Sequence, residues 1–234
     1  MKKILTLLLI LGASLSRTSA QEKAGGFVDA GYSSVITGVN IFSAGNALIG
    51  FNIKDSELWF GIGANIGSER PPYDGCGCYT PPPIWRNQNY FGLIGYQNKE
   101  LRVGIGPGAS IFGPQEKMGV TWSGNLYVDY RGAVWINGIG SVDFDLNKVI
   151  KVDLSYPLNP NAEKHYIALG VEGMYLSDRN YEVVGTLSGY LRLGVIPEFG
   201  DFSVSAGLSY VRATPRTPAL FLKVHFQLDS RFKE

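Results

Sequence analysis

Apolar and polar residues alternate along most of this 234-residue chain. In "ELWFGIGANIGS", Leu58, Phe60, Ile62, Ala64 and Ile66 fall on one side. Glu57, Gly61, Gly63, Asn65 and Gly67 fall on the other, joined by Trp59. "LRVGIGPGASI" sets Leu101, Val103, Ile105, Ala109 and Ile111 against Arg102, Gly104, Gly106, Gly108 and Ser110. "FSVSAGLSY" sets Phe202, Val204, Ala206, Leu208 and Tyr210 against Ser203, Ser205, Gly207 and Ser209. "LFLKVHFQL" sets Leu220, Leu222, Val224, Phe226 and Leu228 against Phe221, Lys223, His225 and Gln227. Successive side chains leave a strand on opposite faces, so each segment reads as a strand with one apolar and one polar face.

The pattern predicts about twelve such strands, near 26–38, 45–54, 57–68, 89–97, 100–112, 119–130, 133–145, 149–158, 164–177, 181–196, 201–213 and 218–229. Ten is the alternative number, because 26–38 and 89–97 alternate poorly. The connections are short ("KDSE", "DLNK", "NPNAE", "PEFGD"), which makes sequential strands antiparallel neighbours. Residues 69–88 form the one long connection.

The polar face is mostly Gly, Ser, Asn and Thr with little Lys or Glu, which suits a narrow enclosed lumen. The apolar face runs for roughly ten residues at a time, the length at which a tilted strand crosses a bilayer. Lipid tolerates no unpaired backbone group, so the sheet must close. A lipocalin-like barrel would reverse the faces, and a two-sheet sandwich would carry more exposed charge. Trp59, Tyr90, Tyr96, Trp122, Tyr130, Trp135, Tyr156, Tyr166, Tyr181 and Tyr210 lie near segment ends as candidates for interfacial girdles. The expected fold is all-β: a closed antiparallel up-and-down transmembrane barrel. An even strand count puts both chain ends on the periplasmic side and the 69–88 connection outside.

The first residues read as an export signal. Lys2 and Lys3 precede the apolar run "ILTLLLILGA", and small residues at Thr18 and Ala20 suit cleavage after Ala20. Residues 1–20 are therefore expected to be removed, leaving 21–234 as one barrel domain. The net charge of +1 offers no field for nucleic acid. No other run reaches the ~18 apolar residues of a membrane helix.

Leader, alternating strands, glycine and aromatic content and the last strand "ALFLKVHFQL" together resemble the small bacterial outer-membrane β-barrel proteins, a porin-like class, over essentially the whole mature chain. The resemblance is one of pattern, with no diagnostic motif. Such barrels often end on an aromatic residue, whereas "DSRFKE" follows Leu228 here. The resemblance implies a location in the bacterial cell outer membrane, with outer-membrane lipid and the outer-membrane insertion machinery as partners.

Candidate chemistry is sparse. "GIGANIG" and "GIGPG" lack the following helix that a phosphate loop needs. Neither His165 nor His225 is followed two residues on by Ser, and a His–Ser pair needs hydrogen-bond reach. His225 falls on the lumenal face and His165 on the outer face. Arg102, Asp129, Asp143, Lys151, Asp153, Glu172, Arg192, Lys223 and His225 form the expected lumen lining. Lys151 is expected opposite Glu172, and Asp143 opposite Lys151, as opposite charges facing across a ladder. Such a cluster either fills the barrel or forms an ion-selective constriction.

In "PPYDGCGCYTPPPIW", Cys76 and Cys78 lack the further ligands of a zinc site, so no metal or cofactor is expected. In an oxidising compartment the two are expected to form a strained disulfide. Asp74, Tyr79 and Trp85 would then offer a stiff contact surface to an unknown surface ligand. Three functions follow: a structural or narrow-pore barrel, which is favoured and is not an enzyme; recognition through the 69–88 loop; and a lipid-modifying enzyme.

Overall fold

The computed structural model describes residues 25–37, 41–54, 56–70, 85–114, 119–159, 164–177, 182–196, 200–212 and 219–229. The leader at 1–20 and Asp74, Cys76, Cys78, Tyr79 and Tyr181 lie outside the described residues, and of Trp85 only the backbone is described. The strands are β1 (Gly26–Ile36), β2 (Ile41–Asn52), β3 (Leu58–Arg70), β4 (Trp85–Gln97), β5 (Leu101–Pro114) and β6 (Gly119–Arg131). They continue with β7 (Trp135–Asp143), β8 (Lys148–Pro157), β9 (His165–Ser177), β10 (Glu182–Val195), β11 (Gly200–Val211) and β12 (Ala219–Asp229). Each pairs with its sequence neighbours, and β1 pairs antiparallel with both β2 and β12, so the sheet closes into a barrel.

The wall has the polarity of an outer-membrane β-barrel. Ile62, Ile105, Trp122, Leu126, Leu187, Leu191, Leu208 and Val224 point outward and are exposed. A continuous apolar exterior of this extent is stable only against lipid. The strands run from nine residues in β7 to fourteen in β5, long enough to span when tilted.

Two strands begin earlier than the alternation indicates. β2 starts at Ile41 and β4 at Trp85, which shortens the long connection to 71–84. The start of β4, "WRNQ", is polar on both faces: Asn87 is buried inside while Arg86 and Gln88 face outward. Alternation cannot mark a strand whose two faces match.

The ladder registers correct two pairings. Lys151 stands opposite Met174 and Ile139, and it is Asp153 that faces Glu172. Asp143 instead closes the β7–β8 turn, accepting from the Asn147 backbone at 2.9 Å and from its side-chain amide at 2.8 Å. These bonds hold Leu146 in the left-handed region at φ 63°. Both misplaced pairings are off by an even number of residues. Such shifts keep every side chain on its face, so the hydrophobic pattern does not register them.

Trp59 and Tyr166 are not girdle residues. Both are buried in the lumen, and Trp135 turns inward too, edge-on to Tyr166 at 4.9 Å. The lumenal glycines make room for such rings. Tyr166 lies over Gly194, its ladder partner, and Trp59 over Gly95 and Gly104. A methyl at Gly194 would overlap the Tyr166 ring. Gly194→Val is therefore expected to lower stability by about 1–3 kcal/mol. Gly189 has nothing near its open side, so Gly189→Ala is expected to be neutral or to add up to about 1 kcal/mol. Urea midpoints of the refolded barrel in lipid vesicles compare the two.

Candidate functional site

The start of β1, the end of β12 and the β2–β3, β4–β5, β6–β7, β8–β9 and β10–β11 connections share one end of the barrel, here called the terminal end. The other connections share the distal end. Between them the lumen is organised in three zones.

At the terminal end, Arg102 of β5 reaches across to Asp229 of β12 through two bonds, of 2.7 and 3.1 Å. Its guanidinium lies 3.4 Å from the Phe27 ring centroid and also donates to Gln97. Arg131 of β6 donates to Asp129 at 3.2 Å, to Asp201 of β11 at 3.3 Å and to Gln227 of β12. Gln227 donates to Asp129 at 3.0 Å, and Tyr166 to Asp201 at 2.7 Å. A cavity of about 290 Å³ opens at this mouth, lined by Arg131, Trp135, Pro157, Ile196 and Asp201 among others.

In the middle, Asp29 of β1 accepts from Tyr127 of β6 at 2.5 Å, Asn137 of β7 at 2.7 Å and His225 of β12 at 3.1 Å. Asp153 of β8 accepts from Tyr190 and Arg192 of β10 and from Lys223 of β12. Lys223 also lies 2.8 Å from Glu172, and Lys151 contacts Asn46 at 3.4 Å and Glu172 at 4.0 Å. Apart from His225–Asp29 and Lys151–Glu172, which join adjacent strands, these bonds join strands that are not neighbours in the wall, so they run across the lumen.

Toward the distal end the lining becomes apolar. Val35, Phe42, Phe112, Val149, Leu176, Val211, Ala219 and Phe221 form one buried cluster next to the distal connections. A second apolar cluster, Phe27, Leu48, Trp59, Phe91, Leu93, Tyr127 and Ile139, fills the β1–β7 side of the terminal half.

The structure places Arg102, Asp129, Asp143, Lys151, Asp153, Glu172, Arg192, Lys223 and His225 all buried on the lumenal side. It brings Asp153, Glu172, Arg192, Lys223 and Lys151 together. It leaves Asp143 apart at the β7–β8 turn, while Arg102 and Asp129 serve the terminal layer. His165 is exposed on the outside. Sequence reasoning missed Asp29, Asp201 and Asp229 as partners, although Asp201 is in phase with Ser203 and Ser205, and Asp229 with His225. It also left Tyr127 and Tyr190 unassigned to either face. Their phase with Asp129 and Arg192 is the signal that assigns them inward.

No family model matches the chain, and no curated protein matches it in sequence. Among solved structures, the KdgM porin in complex with disordered oligogalacturonate is similar over 86% of this chain and 98% of its own, at 12% identity and a TM-score of 0.43. LpxR from Salmonella typhimurium is similar over 86% of this chain and 99% of its own, at 12% identity and a TM-score of 0.43. An outer membrane channel from Pseudomonas putida F1 is similar over 89% of this chain and 96% of its own, at 9% identity and a TM-score of 0.46. Each is similar to this chain as one barrel is to another, and what each binds or passes is not transferred to it.

Asp153 is the carboxylate on which two cations converge. Asp153→Leu would leave Arg192 and Lys223 facing each other, and is expected to cost about 3–5 kcal/mol. Adding Lys223→Met to that variant removes one of the two cations that Asp153 had paired, Glu172 at 2.8 Å being the other partner of Lys223, so the double variant is expected to be less destabilised than the sum of the singles. Urea unfolding of the four proteins in lipid vesicles gives the cycle. Strict additivity would show that the pair does not interact.

Proposed function

We propose that the protein is an outer-membrane barrel whose lumen is packed shut, acting as a structural element of the membrane and not as a diffusion pore. The observation that carries this reading is how its lumenal side chains are used. In a pore, charged lining groups face water. Here Arg102, Asp129, Glu172 and Asp29 are fully buried, and each has a partner on another wall of the same barrel. Past them, Val35, Phe42, Leu176, Val211 and Phe221 occupy the distal end. An apolar constriction repels ions by dewetting even where a thread of space remains.

The same packing bears on catalysis. His225 is 4% exposed and its Nε2 is engaged with Asp29, which gives a lipid or soluble substrate no approach to it. We therefore read the His225–Asp29 pair as a structural brace of a non-enzymatic barrel. Outer-membrane lipid contacts the apolar wall, and insertion machinery is the partner expected to place the barrel there.

Single-channel recording tests the proposal. The wild-type barrel refolded into a planar bilayer is expected to carry no steady current. A Phe42→Ser/Phe221→Ser variant, which hydrates the distal layer, is expected to show ionic leak at the same protein density. A steady ohmic current through the wild type would overturn the packed-lumen reading.

A further inference from the structure

We infer that the closing seam of the barrel binds a cluster of enclosed water molecules on the inner face of β10, β11, β12 and β1. Two adjacent rows of the ladder carry the argument. In one row Ser33, Lys223, Ser205 and Arg192 follow one another across the four strands. In the next, Gly31, His225, Ser203 and Gly194 do so. Among the described residues, the Oγ atoms of Ser33 and Ser205, Nδ1 of His225 and Nε of Arg192 lack a hydrogen-bond partner. Each of these residues is at most 5% exposed.

One such atom alone is tolerable. Several in two neighbouring rows are not, since each unpaired buried polar group costs about 1–3 kcal/mol. Side-chain partners are used up nearby. Lys223 is turned across the lumen toward Asp153 and Glu172, and the His225 Nε2 toward Asp29. Water meets the requirement, because one molecule makes about three hydrogen bonds. A single water links groups roughly 5–6 Å apart. Adjacent residues across a ladder, with Cβ atoms about 4.5–5.5 Å apart, are within its reach. Two rows need more than one molecule.

Polarity and charge point the same way. The inner face at Gly31 is walled by polar side chains: the position its Cβ would take lies 3.1 Å from Asn46 Oδ1, 3.4 Å from His225 Cδ2 and 3.8 Å from Lys151 Nζ. Around it the carboxylates of Asp29, Asp153 and Glu172 are matched by Lys151, Lys223 and Arg192, with His225 also on Asp29, so no excess of negative charge asks for a cation. The distal apolar cluster separates the seam from the distal mouth.

The sign of a stability change tests this. If Ser33 and Ser205 bind water, Ser33→Ala and Ser205→Ala each lower the urea midpoint, because the waters lose a partner. If the hydroxyls are unpaired, removing them relieves a buried polar group, and the midpoint rises or stays put, which would sink the inference. Diffraction from the wild-type barrel gives an answer that does not depend on the variants folding. Ordered water density beside Ser33, Ser205 and His225 Nδ1 is expected. Empty density there, or an anomalous bromide peak in crystals grown in bromide, would overturn the assignment.

Discussion

Everything in this barrel follows from the need to pair every backbone donor and acceptor inside lipid. A sheet meets that need only by closing, and closure here depends on the β1–β12 ladder, which runs from Phe27 opposite Asp229 to Ile36 opposite Leu220. The seam joins the first strand to the last, so no hairpin turn holds it. Its support comes from across the lumen. Asp29 is tied to β6 and β7, Asp229 to β5, Gln227 to β6 and Lys223 to β8.

Closure also creates an interior that must be filled. A barrel of this circumference leaves more room than wall side chains alone occupy, and the sequence fills it in two ways. Large rings from one strand sit over glycines of a neighbour, as Tyr166 does over Gly194. Long charged side chains extend toward the centre and meet partners from other walls. Burying charge is costly unless the pairing is complete, and the shared carboxylates show how it is completed. Asp153 serves Arg192, Lys223 and Tyr190, while Asp29 serves His225, Tyr127 and Asn137. One wrongly placed member would leave several groups unpaired, so the network favours one arrangement of the interior over alternatives. The apolar distal layer needs no such partners and closes the remaining opening.

Much of the wall was legible because period-two alternation is a local property. β5, β8, β11 and β12 carry it cleanly, and their inward charges follow from phase alone. β4 was legible only in part, since Asn87 and Gln88 give it two polar faces. The interior was harder to read. Phase tells that Lys151 and Glu172 both point inward, but not that Lys223, from a strand far off in sequence, supplies the closer ion pair to Glu172, at 2.8 Å against 4.0 Å. Aromatic residues were misread for a related reason. Trp59 and Tyr166 are chemically at home against lipid and inside a glycine-lined lumen, and their strand phase, with the glycine opposite, decides for the lumen.

The amino-acid sequence by itself determined the strands, their antiparallel order, which face meets lipid and which residues line the lumen, because side-chain direction in a strand depends only on position parity. Tertiary structure decided the register, the partners and whether the lumen is open. Register shifts by even steps leave the faces unchanged, so alternation is blind to them. Contacts across the lumen join residues with no fixed spacing along the chain, such as Arg102 and Asp229. Whether charged groups line water or bind one another is a matter of distance, and only the closed barrel sets that distance.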